Sequence, residues 1–400
     1  MKKILFISGS IGTGHVIRDL AIVKELRQQN PNIEVSWIAA EPASMLIRNA
    51  GEQLLPESFV WANQNIVAEN LAGESRLNIL KYIFKTKGEW AHNVEVFREV
   101  TKKDDYDLVI GDETYEIIDA LKKKPELKNA RFVMIYDFIG VDAMTNNLLE
   151  KFGVYYWNRI WGKDYKKESV FVDLRLMVGE EADVPDKKFG FLLPNRRDWA
   201  KEKCKFVGYI IPFNPVEYLD KIKIRKSLGY GTNPLIVGSI GGTAIGKWLL
   251  GLCGQAFPII REKIPDLQMV LVAGPRLSPE SLTVPKEVEV KGYVPYLYQH
   301  FAACDLAIVQ AGGTTTIELT ALKRPFLYFP LEEHCEQQLY IAGRLARHQA
   351  GIKMNFSETT PQSLAETVIA HLAEEVTYVN IPIDGAQKAA QLINQLLWLK

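Results

Sequence analysis

Cysteine is scarce in this chain. Cys204, Cys253, Cys304 and Cys335 are the only four in 400 residues and form no CxxC pair, so neither a redox motif nor a zinc knuckle is present to read. Scattered thiols suit a reducing compartment. Net charge is also absent: 48 Lys and Arg balance 48 Asp and Glu. That lacks the basic character usual in nucleic-acid binders, and no nucleic acid is expected as a partner. No apolar run reaches the roughly 18 residues that cross a bilayer. The start, Lys2-Lys3 followed by Ile4–Ile7 and a Ser-Gly-Ser turn, is shorter than a signal peptide's apolar core. The expected location is cytoplasmic, with peripheral contact at the inner face of a membrane left open. His92, His300, His348 and His371 show no ligand spacing, and neither a metal nor a cofactor is expected.

What is present is an ordinary globular balance, 47% hydrophobic and 24% charged, in a chain long enough for two α/β domains. Short β-branched runs alternate with helical patterns, the signature of parallel βαβ units. In the first half the strand candidates are Ile4–Ile7, Glu34–Ala39, Leu108–Ile110, Arg131–Tyr136, Leu174–Val178 and Lys205–Val207, with a helix over Ile17–Arg27. The pattern restarts at Pro234. Strands are predicted at Leu235–Ser239, Gln268–Val272, Val288–Lys291, Leu306–Val309 and Pro325–Phe329, and helices at Trp248–Lys263, Thr315–Leu322 and Glu336–His348. Prolines and glycine in Gly208–Pro215 read as a linker. The predicted domains are 1–212 and 213–376, with 377–400 as a terminal segment whose Gly385–Leu399 is amphipathic and helical.

Ligands of open parallel sheets sit beyond the carboxyl ends of the strands, and there this chain is rich in glycine and polar residues. The first such place is Ser8-Gly-Ser-Ile-Gly-Thr-Gly-His15. Its glycines do not follow the dinucleotide order G-x-G-x-x-G, and Ile38-Ala-Ala-Glu41 is a loose fit to the ribose acid of that motif. A histidine opening a helix can act as a base near neutral pH; a hydrogen-bonded helix-start histidine is the plain alternative. Asp112 and Asp137 end two further strands. If those strands neighbour the first, the three side chains make a base with an orienting carboxylate. Taken singly, Asp112 reads better as a helix N-cap. Asp105-Tyr-Asp107 has the Asp-x-Asp form of metal-dependent sugar transferases but precedes its strand, so a solvated strand entry is expected.

In the second half, Gly238-Ser-Ile-Gly-Gly-Thr243 places Gly241, Gly242 and Thr243 where backbone can approach an anion. The strongest set is Gln310-Ala-Gly-Gly-Thr-Thr-Thr-Ile-Glu318, followed by Pro330 and Glu336-Gln-Gln338. A strand, a small-residue turn and a hydroxyl-rich helix start at Gly312, Gly313, Thr314 and Thr315 make a cation-free diphosphate site. Glu318, one turn on, can accept from a ribose diol, and Gln337 and Gln338 can read sugar hydroxyls. His334 lies near that loop and reads as incidental.

These residues, in this order, resemble the GT-B glycosyltransferases. The likeness is to the family of the bacterial N-acetylglucosaminyltransferase that completes the peptidoglycan lipid intermediate, with kinship to diacylglycerol galactosyltransferases. It is strongest from Lys291 to Ala342. The resemblance implies two Rossmann-like domains facing across a cleft, with the C-terminal helix packing back on the N-terminal domain. It implies a nucleotide-sugar donor, UDP-linked, held by Glu318 at the ribose, Gly312, Gly313, Thr315 and Gly241-Gly242 at the diphosphate, Gln337 and Gln338 at the sugar, and backbone near Tyr293-Val294 at the base. It also makes Asp137, heading Tyr136–Asn147, the acid/base candidate. Two departures stand out: Gln310 replaces a histidine or arginine, and the first loop lacks an adjacent Gly-Gly before His15.

The reaction so implied is an inverting, metal-independent sugar transfer to an acceptor hydroxyl, with Asp137 or His15 taking the proton. The acceptor is a small molecule or a lipid-linked sugar. The aromatic and lysine-rich stretches Leu77–Lys103 and Tyr155–Trp161 read either as a membrane contact or as core and cleft lining. A nucleotide-sugar epimerase of the same architecture, a non-catalytic sugar-nucleotide sensor and an NAD oxidoreductase are the rival readings.

Overall fold

A computed structural model describes residues 1–9, 11–164, 170–372 and 374–399. The chain divides into two compact units. Met1–Asn70, Ile79–Pro212 and Pro382–Lys400 form the first; Leu71–Asn78 and Phe213–Ile381 form the second. Each is a Rossmann-like domain around one parallel sheet.

The first sheet has seven strands: β1 (Lys2–Ile7), β2 (Ile33–Ile38), β3 (Gln53–Leu54), β4 (Leu108–Asp112), β5 (Arg131–Tyr136), β6 (Leu174–Val178) and β7 (Lys205–Gly208). They run parallel in the order β3-β2-β1-β4-β5-β6-β7. Covered on both faces, the central strands are continuous apolar runs, and Ile4 to Ile7 are fully buried. Helix Gly14–Gln29 presses Ile22, Val23 and Leu26 into the core, and helix Gly385–Trp398 adds Ala389, Ala390, Ile393 and Leu397 to the same cluster. The returning chain passes tightly over the end of β7. Gly208 has φ +83°, and a Cβ there would meet the Pro382 carbonyl at 3.0 Å.

The second sheet has six strands: β8 (Leu235–Ser239), β9 (Gln268–Val272), β10 (Glu289–Lys291), β11 (Leu306–Gln310), β12 (Phe326–Phe329) and β13 (Ile352–Lys353). Their order is β10-β9-β8-β11-β12-β13, again all parallel. Helices Lys247–Lys263 and Pro361–His371 cover one face through Leu250, Phe257, Leu364 and Val368. Phe301, Leu319 and Leu345 lie in the other core cluster.

The differences from the sequence reading are local. The edge strands β3 and β13 have two residues each, too few to show a period. The helix expected over Glu336–His348 opens as a π-helical turn, Glu336–Ile341, before the α-helix Ala342–Arg347. Of the two aromatic stretches, Leu77, Leu80, Tyr82 and Trp161 are buried, Trp90, Tyr155 and Trp157 are half-buried, and Phe84 is exposed. In the second stretch Tyr156 and Ile160 are exposed, and on helix Leu148–Asp164 they join the exposed apolar side chains of Leu148, Leu149 and Phe152. Among the described residues no helix is long and apolar enough to cross a membrane.

Candidate active site

In both sheets strand order reverses direction once, between β1 and β4 in the first and between β8 and β11 in the second. At such a point the loops leaving adjacent strands diverge and open a crevice at the carboxyl edge. His15 follows β1 and Asp112 ends β4; Gly241-Gly242 follow β8 and Gly312-Gly313 follow β11. Both candidate sets therefore sit at the switch point of their own sheet. Asp107 lies at the opposite edge, bonded to Lys2 Nζ at 2.6 Å and to the Lys3 amide at 2.8 Å, as expected of a strand entry.

The strand order β1-β4-β5 brings His15, Asp112 and Asp137 together. His15 Nδ1 is 2.9 Å from Asp112 Oδ2, and Nε2 is 3.8 Å from Asp137 Oδ2. Gly9 makes room for the ring, since a Cβ there would lie 2.8 Å from His15 Cγ. Asp112 is not an N-cap. Thr114 occupies that position before helix Tyr115–Lys123, and the Asp112 carboxylate is spent on His15 and Arg18 instead.

Arg18 was not singled out from the sequence. It is 4% exposed; its Nη2 donates to Asp112 at 2.6 and 2.8 Å, and its Nη1 donates to Asp137 Oδ1. The spacing His15-x-x-Arg18 places both on one helix face, which was the available signal. Below them Asp19, fully buried, accepts a 2.6 Å bond from the Ser8 hydroxyl. Burial, then the charge of Asp112, pushes the Asp19 carboxyl well up.

The cluster resets its own charges. Burial alone would raise Asp112, but Arg18 and His15 outweigh it and hold the carboxyl at about 2. Burial alone would lower His15; Asp112 overrides it and raises the imidazole to about 10. A base titrating near neutrality was expected, and a carboxylate in contact is the reason it does not. Nδ1–H then donates to Asp112, leaving Nε2 on the 18% exposed side chain beside Asp137.

In the second unit, helix Gly313–Ala321 starts without a side-chain cap. Its first bonded amide is that of Thr316, to the Gly312 carbonyl, so the amides of residues 313–315 lack helical partners. Gly312 to Thr315 are half-buried, whereas Glu318 is 6% exposed. Among the described residues the Glu318 carboxyl has no hydrogen-bond partner, and burial pushes it up to about 8. Gln310 is equally buried with Oε1 unpartnered, fitted against Gly246, where a Cβ would lie 2.2 Å from that oxygen. Gly241, at φ +76°, meets the turn after β9, where a Cβ on Gly274 would reach the Gly241 carbonyl at 2.2 Å. Thr243 and Val294 are half-buried on the same edge.

The two glutamines differ. Gln338 uses both ends of its amide on protein: Nε2 donates to the Pro330 and Leu331 carbonyls, and Oε1 accepts from Lys353 at 2.9 Å. Gln337 accepts the Leu331 amide at 2.8 Å through Oε1, which leaves its Nε2 to donate. Both lie in the π-helical turn, a rare geometry found often at functional sites. His334 is buried, and burial lowers it to about 4.

Residues 237–396 match the glycosyltransferase family 28 C-terminal domain. An uncharacterized glycosyltransferase of Methanosarcina acetivorans is 35% identical over 356 residues, covering 84% of this chain and 80% of that one. The UDP-N-acetylglucosamine--N-acetylmuramyl-(pentapeptide) pyrophosphoryl-undecaprenol N-acetylglucosamine transferase of Clostridioides difficile is 24% identical, covering 95% and 84%. Among solved structures, the glycosyltransferase SnogD from Streptomyces nogalater superposes with a TM-score of 0.59 at 16% identity, covering 99% of each chain. MurG of Acinetobacter baumannii gives 0.51 at 16%, covering 98% and 95%; at such identities these two speak for the fold. The relatives named are transferases, which gives the epimerase reading no support.

Proposed function

The chain belongs to the glycosyltransferases and has the GT-B fold, and from that premise we propose that it moves a sugar from UDP to an acceptor hydroxyl, inverting the anomeric centre without a metal ion. The observation that carries the donor half is Glu318, a buried carboxyl with no hydrogen-bond partner among the described residues, one turn behind a helix start whose first three amides have no helical partner. Leaving a buried polar group unpaired is costly, and a ribose diol donating to Glu318 would satisfy it. The diphosphate then lies against the amides of 313–315, the hydroxyls of Thr314 and Thr315, and the Gly241–Thr243 turn, with Gln310 as a neutral donor. As the glycosidic bond breaks, these dipoles stabilise the departing charge. Gln337 Nε2 donates to the sugar, while Gln338 fixes the loop. The Val294 backbone reads the base.

On the acceptor side, neutral His15 takes the hydroxyl proton through Nε2, with Asp112 fixing the ring and Arg18 holding Asp112 and Asp137 in place. The Clostridioides relative's acceptor is carried on undecaprenol, and helix Leu148–Asp164 here exposes an apolar face beside Lys151 and Arg159. That supports a lipid-linked acceptor reached at a membrane surface. In this reading the first unit, which includes Pro382–Lys400, takes the acceptor, and the second, which includes Phe213–Ile381, takes the donor.

Calorimetric titration with UDP, dTDP and GDP, followed by transfer assays in excess EDTA with NMR of the product's anomeric proton, tests this. UDP is expected to bind tightest, turnover to survive chelation and the product to be inverted. Retention of configuration, or no binding of any of the three nucleotides, would overturn it.

A further inference from the structure

Residues 71–78 follow helix Gln64–Leu71 and precede helix Ile79–Lys85, two elements largely assigned to the first unit, yet they are built into the second. The segment makes a tight turn, with the Gly73 amide donating to the Arg76 carbonyl at 3.0 Å and Ser75 at φ +53°. It then pairs with a single residue, Glu332. The Glu332 amide donates to the Ser75 carbonyl at 2.7 Å, the Leu77 amide donates to the Glu332 carbonyl at 3.0 Å, and Arg76 Nε donates to Glu332 Oε2 at 2.7 Å. Ser75 and Leu77 are buried. Glu332 Oε1 accepts the Ser357 amide, so both backbone groups and both carboxylate oxygens of this residue are held.

Glu332 adjoins Leu331, whose amide donates to Gln337 Oε1 and whose carbonyl accepts from Gln338 Nε2. The strap is therefore bonded to Glu332 and the glutamine pair to Leu331, and the peptide bond between these two residues joins the two sets. We infer that the strap is a positioning element for the sugar-reading loop, so that selectivity for the donor's sugar depends on eight residues lying outside the contiguous donor domain. This rests on the donor reading given above. A loop that reads hydroxyls must hold its donors to within about half an ångström. Ser75, Arg76 and Leu77 bond to Glu332, beside that loop, so loss of these bonds is felt by the sugar and spared by the nucleotide.

Full-length Arg76→Ala and Leu77→Pro, the second lacking the amide that donates to Glu332, are compared with wild type. UDP affinity is read by calorimetry, and KM and kcat are read with UDP-N-acetylglucosamine and UDP-glucose. UDP affinity should stay within about twofold. KM for the preferred sugar should rise about threefold in Arg76→Ala, the scale of an exposed ion pair, and about tenfold in Leu77→Pro, with the preference between the two sugars narrowing. Arg76→Lys, which keeps a cation for Glu332 and leaves its bond to the Ser357 amide intact, should recover most of the loss, and this variant with Arg76→Ala decides the matter if Leu77→Pro does not fold. Unchanged KM and preference in both Arg76→Ala and Leu77→Pro, or UDP affinity falling in step with KM, would overturn the inference alone. Failure of UDP to bind wild type would overturn the donor reading and this with it.

Discussion

Replacing Glu318 by Gln should separate two pH trends of opposite sign. In the folded protein burial raises this carboxyl from 4.5 to about 8; in the unfolded chain it ionises near 4.5. Between those values the native state keeps a proton that the unfolded state has lost, so its contribution makes stability fall as pH rises, and the fall ends above about 8. The slope is at most about 1.4 kcal/mol per pH unit, a few kcal/mol across the window. Glu318→Gln removes the term. His15 and Glu116, raised to about 10 and about 7, are common to both proteins and cancel in the difference. Nucleotide binding runs the other way. Hydroxyls donating to the carboxylate select its charged form, so UDP affinity should climb with pH towards 8 and binding should release a proton. Each lost bond to a charged acceptor is worth about 1.5–3 kcal/mol, so the variant should bind UDP about 10- to 100-fold more weakly. Urea unfolding of both proteins from pH 5 to 9, and calorimetry in buffers of different ionisation enthalpy, read the two trends. A stability difference flat in pH, or equal UDP affinity, would refute the reasoning.

With His15 raised to about 10 by Asp112, only the small neutral fraction can accept a proton at pH 7. Under saturating donor and limiting acceptor, kcat/KM should therefore rise up to about tenfold per pH unit from 6 towards 9; a profile level over that range would pass the base role to Asp137. The exposed face of helix Leu148–Asp164 should bind vesicles containing anionic phosphatidylglycerol, and Leu149→Asp with Phe152→Asp should abolish the co-sedimentation without changing the thermal midpoint. Equal pelleting of the double variant would remove that helix from any membrane contact.

Both sheets were legible because parallel strands buried on two faces are uninterrupted apolar runs, and Leu235–Ser239 and Gln268–Val272 fall within the limits read from the sequence. The candidate loops stood out for a related reason: glycine and hydroxyl residues gathered directly after a buried strand suit a ligand-facing turn. Arg18 was not, because inside a helix pattern an arginine reads as a solvated face. Its partners are 94 and 119 residues away, and no local period reveals them. The π-helical turn at Glu336–Ile341 and the strap at Leu71–Asn78 were silent too, since each depends on hydrogen bonds that a short segment cannot specify alone.

The sequence by itself determined two parallel βαβ domains and the chemical character of their carboxyl-edge loops, because burial periodicity and turn chemistry act over a few neighbouring residues. Only the tertiary structure decided the charge states. The order β1-β4-β5 puts Asp112 against His15 and Arg18, and enclosure without a partner raises Glu318. A pKa follows distance and desolvation in three dimensions, and neither is written in the spacing along the chain.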